Sequence, residues 1–250
     1  MKIDFSRFSS INMGRFVEVR VIDEDNFNGE FIIGRATNTL VVRGDNLGIL
    51  DKRYNFIEVK KGYLRVGAKT QNRRLYNFCK RNNIKGFEFL AKLPGSIGGS
   101  VRMNAGVKSE EIGKRVVAIK TLSGWREDVE FGYRYSNINE PVFEVLFELE
   151  SGFDYELDLY LKNLRSNQPS EPSLGSVFKN PKGDFAARLI EAVGMKGVRK
   201  GGVEVSKKHA NFFVNVGGGK CEEMLFLINE AKRRVFNEFG IELKEEIIIV

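Results

Sequence analysis

The chain has 250 residues, enough to bury a substantial core in one large domain or in two to three smaller lobes. Its composition, with 42% hydrophobic and 29% charged residues, is ordinary for a soluble globular protein. The formal net charge of +7 favours anionic partners, but no basic block with interleaved aromatic residues occurs. Small phosphorylated ligands therefore fit the charge better than nucleic acid does.

Cysteine and histidine are too scarce for two common kinds of site. Cys79 and Cys221 are far apart in sequence, and His209 is the single histidine, so neither a disulfide framework nor a zinc site is predicted. No apolar run reaches the roughly 18 residues of a membrane span, and residues 1–13 lack the apolar core of a signal peptide. We expect a cytoplasmic protein with no metal, no membrane contact and no evident protein partner.

The first third of the chain is predicted to form strands around one loop. Val17, Val19 and Val21 alternate with charged residues, which predicts a half-buried strand over residues 15–22. A strand, a loop with the sequence Gly-Arg-Ala-Thr-Asn over residues 34–38, and a second strand follow. Later segments predict two more strands and a helix with Thr70 as a candidate N-cap: residues 55–60, 63–67 and 70–83.

Residues 93–106 contain four glycines and one proline in 14 positions. Such a composition is not expected in the interior of a helix or strand. It is typical of a backbone surface that something approaches closely. The segment is therefore predicted to be an irregular loop that contacts a ligand.

The remaining elements follow hydrophobic periodicity, and one of them contains an unusual arginine. Arg134 lies in the sequence Tyr-Arg-Tyr-Ser, a strand-like and aromatic setting in which a structural ion pair is the ordinary role. The amphipathic helix that starts at Asp154 is taken as the bridge to a second, smaller domain. The predicted strands cover residues 116–122, 142–150 and 245–250, and the predicted helices cover residues 154–164, 184–193 and 222–239.

Residues 172–181, with the sequence Pro-Ser-Leu-Gly-Ser-Val-Phe-Lys-Asn-Pro, are the best candidate for the chemical centre. A glycine before Ser176 allows a tight backbone approach, and a proline at each end restricts the backbone. Lys179 and Asn180 supply a cation and an amide of the kind that holds phosphate or a nucleobase. The ordinary alternative is a connecting loop rich in Gly, Ser and Pro.

Four separated motifs, in the same order, resemble the UDP-N-acetylenolpyruvoylglucosamine reductase family of peptidoglycan synthesis. They are Gly-Ser-Val-Phe-Lys-Asn-Pro over residues 175–181, the glycine-rich segment 93–106, Tyr-Arg-Tyr-Ser over residues 133–136, and the pair of segments 202–215 and 243–247. The stretch between residues 133 and 176 is too short to hold the family's additional tyrosine-bearing loop together with the bridging helix, so the chain resembles the shorter type.

The resemblance implies an α+β fold with a two-lobed FAD-binding domain of the PCMH or vanillyl-alcohol-oxidase type and a smaller α+β substrate-binding domain. The expected limits are 1–60 for a shortened first FAD-binding lobe, 61–164 for the second lobe, 165–240 for the substrate-binding domain and 241–250 for a strand that returns to the FAD-binding body. The implied cofactors are FAD and NADPH, and the implied substrate is a UDP-linked amino sugar. FAD would be held by two loops: Gly34, Arg35, Ala36, Thr37 and Asn38, and Pro94, Gly95, Ser96, Gly98, Gly99 and Asn104.

The resemblance also implies the catalytic roles. Ser176 would donate a proton, and Arg134 and Glu246 would stabilise the enolate-like intermediate at the substrate carboxylate. Lys179 and Asn180 would bind the UDP portion, although Lys179 is also a candidate to polarise Ser176. Because neighbouring strand residues point to opposite faces, a shift of one residue would exchange Glu246 for Glu245.

Two differences from the family pattern leave an alternative open. Ala36 and Thr37 replace a glycine and a serine, and only about ten residues separate the first strand from residues 34–38. The alternative is a divergent fold relative that binds FAD weakly and acts on, or only binds, another nucleotide-linked ligand. His209 is expected to anchor a loop and is given no chemical role.

Overall fold

The structure is a computed structural model that describes all residues from Met1 to Val250. The chain packs as two compact units. Unit 1 combines residues 1–18, 35–45 and 167–250, and unit 2 combines residues 19–34 and 46–166. The domain limits implied by the resemblance stay a prediction, and the units group the first eighteen residues and the last strand with the segment around Ser176.

The 19 strands are short, and most pair antiparallel. In chain order they are β1 Lys2–Asp4, β2 Phe16–Ile22, β3 Phe31–Ile32, β4 Thr39–Leu40, β5 Leu47–Leu50, β6 Ile57–Lys60, β7 Tyr63–Gly67, β8 Gly106–Val107, β9 Glu110–Glu111, β10 Val116–Thr121, β11 Gly124–Arg126, β12 Phe131–Gly132, β13 Tyr135–Ser136, β14 Glu144–Glu148, β15 Ser173–Ser176, β16 Arg199–Lys200, β17 Val203–Val205, β18 Phe212–Asn215 and β19 Ile248–Ile249.

The six α-helices range from 4 to 19 residues. They are α1 Phe5–Phe8, α2 Asn72–Arg81, α3 Ile97–Arg102, α4 Tyr155–Leu164, α5 Ala186–Ala192 and α6 Cys221–Phe239. Short 3-10 turns occur at Lys52–Tyr54, Glu88–Lys92, Ile112–Arg115 and Arg165–Asn167.

Unit 1 is built on the four-stranded sheet β15-β18-β17-β16, against which α5 and α6 pack. Its core joins residues from all three chain segments, including Met13, Leu40 and Phe213, and the apolar face of α6 adds Met224 and Leu227. The last strand β19 runs parallel to β4, with Ile248 opposite Thr39. Burial of these apolar side chains holds the separate segments of unit 1 together.

Unit 2 is built on the five-stranded sheet β11-β10-β14-β7-β6, covered by α2, α3 and α4 and by 3-10 turns. Its core contains Phe87, Phe143 and Phe147, all fully buried. The alternation that predicted a strand over residues 142–150 is confirmed by β14, where Val145 and Phe147 are buried and Glu148 is exposed. Buried Cys79 on α2 is a small apolar core residue, and burial raises the pKa of its thiol.

Two local predictions about helices were wrong. Residues 97–102 form the helix α3 although the glycine content argued against any regular element. The reason is packing: a Cβ on Gly98 would lie 2.9 Å from the Cβ of Ala68, so only glycine lets the helix lie this close. Thr70 is not the N-cap of α2, because the cap is Gln71 and the Thr70 hydroxyl donates to the Phe56 carbonyl instead.

Candidate active site

Ser176 ends strand β15 in unit 1, and the glycine before it determines the local backbone. Gly175 has φ +81°, a left-handed conformation that side chains disfavour, and the register of β15 on β18 shifts between Ser173 and Ser176. Ser176 lies opposite Phe212 of β18 and is half-buried. The predicted tight approach at Gly175 is not observed, since a Cβ there would meet nothing within 4 Å. Glycine is favoured instead by its positive φ, at the point where the chain leaves regular pairing.

The residues after Ser176 are held by Asn211, which the sequence analysis did not single out. Its backbone carbonyl accepts from Val177 N (2.8 Å), its Oδ1 accepts from Phe178 N (3.0 Å), and its Nδ2 donates to the Phe178 carbonyl (2.8 Å). Asn211 is only 3% exposed. A buried amide with this many main-chain partners fixes the strand end beside Ser176. The signal in the sequence was a polar residue inside the apolar run Ala-Asn-Phe-Phe-Val.

Glu246 lies next to the same backbone. Its N–H donates to the Val177 carbonyl at 2.8 Å, and its own carbonyl accepts from Asn38 Nδ2 at 2.9 Å. Glu245 has a different environment, because its Oε1 lies 2.9 Å from Lys232 Nζ on α6. Within unit 1, a main-chain hydrogen bond thus joins Glu246 directly to Val177, the residue after Ser176. Glu245 is instead engaged in an ion pair with Lys232.

Four residues of the first predicted FAD loop, Arg35, Ala36, Thr37 and Asn38, belong to unit 1. Ala36, which replaces the family glycine, is buried and has φ 47°, so it keeps the left-handed conformation without being glycine. Its carbonyl accepts from Ser10 N at 3.2 Å, and the Arg35 guanidinium lies over the Phe8 ring. The loop conformation is therefore maintained by contacts of the first ten residues.

The two residues assigned to the UDP portion follow Ser176 closely. Lys179 is half-buried, and its N–H donates to the Lys244 carbonyl at 2.9 Å. Asn180 is exposed, and its Oδ1 accepts from Ala186 N at 3.1 Å where α5 begins. The amide hydrogens of Asn180 are thus the groups that a ligand can use.

His209 behaves as a loop anchor. Its Nδ1 accepts from Asn211 N at 3.3 Å, and its ring packs edge-on against Phe212. Burial lowers the pKa of the imidazole, and the Lys196 charge acts in the same direction. A histidine that stays neutral and bonds the chain beside Asn211 supports the segment that holds Ser176.

The second predicted FAD loop, in unit 2, uses its glycines in two different ways. Gly98 is required by packing, since a Cβ at this position would collide with Ala68. The Gly98 N–H also donates to the Ala68 carbonyl at 2.9 Å. Gly99 is exposed, and a Cβ there would meet only Ser96 Oγ, at 3.7 Å. Glycine inside a helix is unfavourable by about 1 kcal/mol relative to alanine. Packing within the protein does not require a glycine at position 99. The open surface at Gly99 fits a ligand that approaches the backbone closely.

Ser96 and Asn104 stabilise this loop from within. A Cβ on Gly34 would lie 2.5 Å from Ser96 Oγ, so any larger residue at this position would require the Ser96 side chain to move. Both amide hydrogens of Asn104 are used, with Glu111 Oε2 at 3.0 Å and the Gly132 carbonyl at 2.9 Å. Its side chain therefore orders the loop and the neighbouring hairpin.

Arg134 is at the tip of a tight hairpin, where a strand residue was expected. Strands β12 and β13 pair Gly132 with Tyr135, so Tyr133 and Arg134 form a two-residue turn, and Arg134 has φ 52°. Its guanidinium lies beside the predicted FAD loop: Nη2 donates to the Gly106 carbonyl at 3.0 Å and Nη1 to the Asn104 carbonyl at 3.4 Å. A left-handed backbone at a large side chain is strained, and such strain is typical of functional sites.

Arg165 is an unexpected neighbour of Arg134. It caps α4 and enters the 3-10 turn Arg165–Asn167. Its Nε is buried and has no hydrogen-bond partner among the protein atoms. Burial, together with the positive charge of Arg134, lowers the pKa of Arg165 to about 10. The sequence carried no signal for this pair, because the two arginines are 31 positions apart.

The comparisons with known proteins agree along the chain. Residues 168–250 match the family described as UDP-N-acetylenolpyruvoylglucosamine reductase, C-terminal domain. Over all of both chains, the protein is 47% identical to a UDP-N-acetylenolpyruvoylglucosamine reductase of Campylobacter jejuni strain RM1221. It is 41% identical to the Helicobacter hepaticus protein of the same name, over 99% of this chain and 98% of the relative.

A solved structure agrees as well. The crystal structure of UDP-N-acetylenolpyruvylglucosamine reductase from Thermus caldophilus has a TM-score of 0.86, with 27% identity over 100% of this chain and 98% of that one. The mixed α and β fold and the ordered motifs thus define an oxidoreductase of cell-wall precursor synthesis. The chain belongs to the UDP-N-acetylenolpyruvoylglucosamine reductase family.

None of the chain's helices combines the length and the apolar character that a membrane crossing requires. No group of three or more His, Cys, Asp or Glu residues is placed to hold a metal ion.

Proposed function

We propose that this chain reduces the enolpyruvyl double bond of UDP-N-acetylglucosamine enolpyruvate to give UDP-N-acetylmuramate for peptidoglycan synthesis in the cytoplasm. The main support for this proposal is the sequence identity of 47%, over the full length of both chains, with a UDP-N-acetylenolpyruvoylglucosamine reductase. The divergent alternative rested on the short segment before residue 34. That segment lies within the full-length match, so the alternative is not favoured.

The residues at the two predicted loops fit a flavin. Gly99 offers an open surface with no packing reason of its own, and residues 34–38 keep a left-handed turn at Ala36. We assign FAD to Gly34, Arg35, Ala36, Thr37 and Asn38 and to the segment from Pro94 to Asn104, in a fold of the PCMH or vanillyl-alcohol-oxidase type. When bound and reduced by NADPH, FAD supplies the hydride. No cysteine or histidine occurs in these loops, so binding is expected to be noncovalent.

Ser176 supplies the proton in this proposal. Reduction of an enol ether needs a hydride at one carbon and a proton at its neighbour, and the Ser176 Oγ–H is the donor of that proton. A serine is a weak acid, so its position relative to the carbon must be well defined. The hydrogen bonds of Asn211 with Val177 and Phe178 support that role, because they fix the backbone directly after the serine.

Arg134 and Glu246 act on the charge that develops at the substrate carboxylate. The Arg134 guanidinium has a fixed orientation, since carbonyl groups of residues 104 and 106 accept from it. A preoriented cation stabilises an enolate-like intermediate more than a mobile one, because it does not reorganise during the reaction. Glu246 is proposed to polarise the same group, and Lys179 and Asn180 to bind the UDP portion.

The experiment uses purified protein, NADPH and the enolpyruvyl substrate. We expect flavin absorption bands, release of all flavin on acid precipitation, and NADPH oxidation that depends on the substrate. UDP-N-acetylglucosamine, which lacks the enolpyruvyl group, is the control and should give no turnover. Colourless protein that FAD does not reconstitute, or equal NADPH oxidation with both sugars, would contradict the proposal.

A further inference from the structure

The surroundings of Arg165 differ from those of the other half-buried arginines of unit 2. Arg65 Nε lies 2.6 Å from Glu144, and Arg115 Nη1 lies 3.0 Å from Glu150. Each of these guanidinium groups is therefore paired with a carboxylate. Arg165 has an enclosed Nε without a hydrogen-bond partner, and the charged group that acts on it is Arg134, which has the same sign.

A structural role at the helix end does not account for this arrangement. A cation near a helix C-terminus commonly bonds the last carbonyl groups and interacts with the helix dipole. The Nε of Arg165 makes no such bond. A buried donor without a partner destabilises the protein, more so when it belongs to a charged group, and a like charge nearby adds to that cost. An arrangement that is unfavourable for the protein alone becomes favourable when an anion binds.

The role proposed above for Arg134, at the substrate carboxylate, indicates which anion this is. Its Nη1 and Nη2 already donate to the carbonyls of Asn104 and Gly106. A carboxylate bound there would gain from the donors of a second guanidinium group, whose planar fork matches two carboxylate oxygens. Arg165 is close enough to Arg134 for their charges to interact.

We propose that Arg165 binds the carboxylate of the enolpyruvyl group together with Arg134. This inference rests on the function proposed above and adds a second cation to the carboxylate site. The two guanidinium groups bind the ground-state carboxylate and stabilise it further as negative charge accumulates there during reduction.

The first test is thermal unfolding of the full chain without ligands, comparing wild type with Arg165→Gln and with Arg115→Gln as the control. Because Arg165 has no carboxylate to lose, Arg165→Gln is expected to keep or raise the melting temperature. Arg115→Gln breaks its contact with Glu150 and is expected to lower it. A decrease for Arg165→Gln as large as that for Arg115→Gln would show that Arg165 is structural and would overturn the proposal.

The second test measures dissociation constants on the flavin-loaded protein for two ligands, UDP-N-acetylglucosamine enolpyruvate and UDP-N-acetylglucosamine. A hydrogen bond between charged groups is worth roughly 1.5–3 kcal/mol, so Arg165→Gln should weaken binding of the enolpyruvyl ligand by about 10-fold to 100-fold. Binding of the sugar without the carboxylate should change less than about twofold, and Arg165→Lys should recover part of the loss.

The outcomes separate the two proposals. If wild type prefers the enolpyruvyl ligand and Arg165→Gln prefers it equally, the Arg165 assignment fails and the proposed function stands. If the variant instead changes the flavin reduction potential with ligand affinity unaltered, the carboxylate assignment is likewise overturned. If wild type does not distinguish the ligands, the proposed function fails, and this inference fails with it.

Discussion

Ser176 and Glu246 are distant in sequence, yet the Val177 carbonyl, one residue after the serine, accepts the Glu246 N–H. A backbone bond of this kind couples the positions of the two residues more strictly than a contact between flexible side chains does. Substitutions at Ser176 and at Glu246 can therefore distinguish a chemical role of each residue from a structural one.

Replacing Ser176 with alanine tests the proton donor. Reduction of the flavin by NADPH takes no proton from the serine, so this half-reaction is expected to stay nearly normal. Reoxidation by the enolpyruvyl substrate should slow by about 100-fold or more, as expected for loss of a positioned acid. Stopped-flow spectroscopy follows both half-reactions, and an equal loss in both would mean that the serine only supports the fold.

Glu246→Gln and Glu245→Gln form a matched pair on neighbouring residues. Glu245 is engaged with Lys232, so its replacement should cost at most about 1 kcal/mol of stability and leave the substrate half-reaction nearly unchanged. Glu246→Gln should slow that half-reaction strongly without a comparable loss of stability. Similar rates for both variants would assign the catalytic role to neither.

The residue-scale predictions from sequence succeeded where a motif occupies one continuous segment. The special backbone at Gly175 was predictable because the glycine itself marks it, whereas the catalytic role of Ser176 beside it stays a prediction. Asn211 and Arg165 were missed, since their importance comes from partners that are 30 or more positions away. Arg134 was found, but its turn conformation was not, because the aromatic residues beside it favour a strand.

At the scale of the element, helix α3 allows its two adjacent glycines to be compared. Gly99→Ala should raise the melting temperature of the ligand-free chain, because alanine is favoured in a helix by about 1 kcal/mol and the added Cβ has space. The same change should weaken FAD binding by about 10-fold or more, which is measured by titrating the flavin-free protein with FAD.

Gly98→Ala is the control for this prediction, because its Cβ would collide with Ala68 and should destabilise the fold. Unchanged FAD affinity in Gly99→Ala would remove this glycine from the binding surface.

Helices α2 and α4 are joined by a buried carboxylate. Asp158 on α4 is 4% exposed at its side chain, and Lys162, Lys80 and Tyr76 of these helices surround it, with the lysine Nζ atoms at 2.8 and 3.0 Å. Burial alone would raise its pKa, but hydrogen bonds from Lys162 and Lys80 outweigh burial and lower the pKa below its usual 3.8.

Asp158→Asn is therefore expected to lower the free energy of unfolding by about 2 kcal/mol at neutral pH. Because the folded-state pKa is depressed, this contribution is present above the unfolded pKa near 3.8 and is lost as the pH falls through the folded-state value. Chemical unfolding at several pH values measures the difference, which should shrink in acid. Asp128→Asn, at an exposed ion pair with Arg126, should change stability little at any pH.

The longer elements were predictable because their apolar faces repeat regularly. The predictions over residues 154–164 and 222–239 are confirmed by α4 and α6, and the strand over residues 15–22 is confirmed by β2. The short helix α3 was not predictable from composition, since Gly98 there reflects contact with Ala68 and not a local preference. The last strand was expected over residues 245–250, but only Ile248–Ile249 pairs as a strand.

For the whole molecule, the positive net charge should influence ligand capture. The chain carries +7, and the two ligands proposed for it, NADPH and the UDP-linked substrate, are anionic. We expect kcat/KM for NADPH to fall by about threefold or more as potassium chloride rises from about 20 to about 300 mM, since screening shortens the range of attraction. Sucrose at equal osmolality is the control and should have little effect. A rate independent of salt would show that the net charge does not steer these ligands.

The sequence did not indicate which chain segments form each of the two units. Hydrophobic periodicity finds segments that bury a face, but it does not say which segments share a core. Met13, Leu40 and Phe213 belong to one core although long stretches of chain separate them. Only the packed structure shows that the loop over residues 35–38 and the segment around Ser176 belong to the same unit.

The discontinuity of unit 1 has a consequence for biosynthesis. Unit 2 ends at residue 166, so all of its residues are synthesised before residues 167–250 of unit 1. The first eighteen residues must wait for residues 167–250, and at about 5–20 residues per second the synthesis from residue 18 to residue 250 takes roughly 10 to 50 seconds. During this interval Ile11 and Met13, which are buried in the finished protein, are without their final core. The nascent chain therefore presents an apolar N-terminal segment to chaperones, and the half that carries Ser176 is the last to fold.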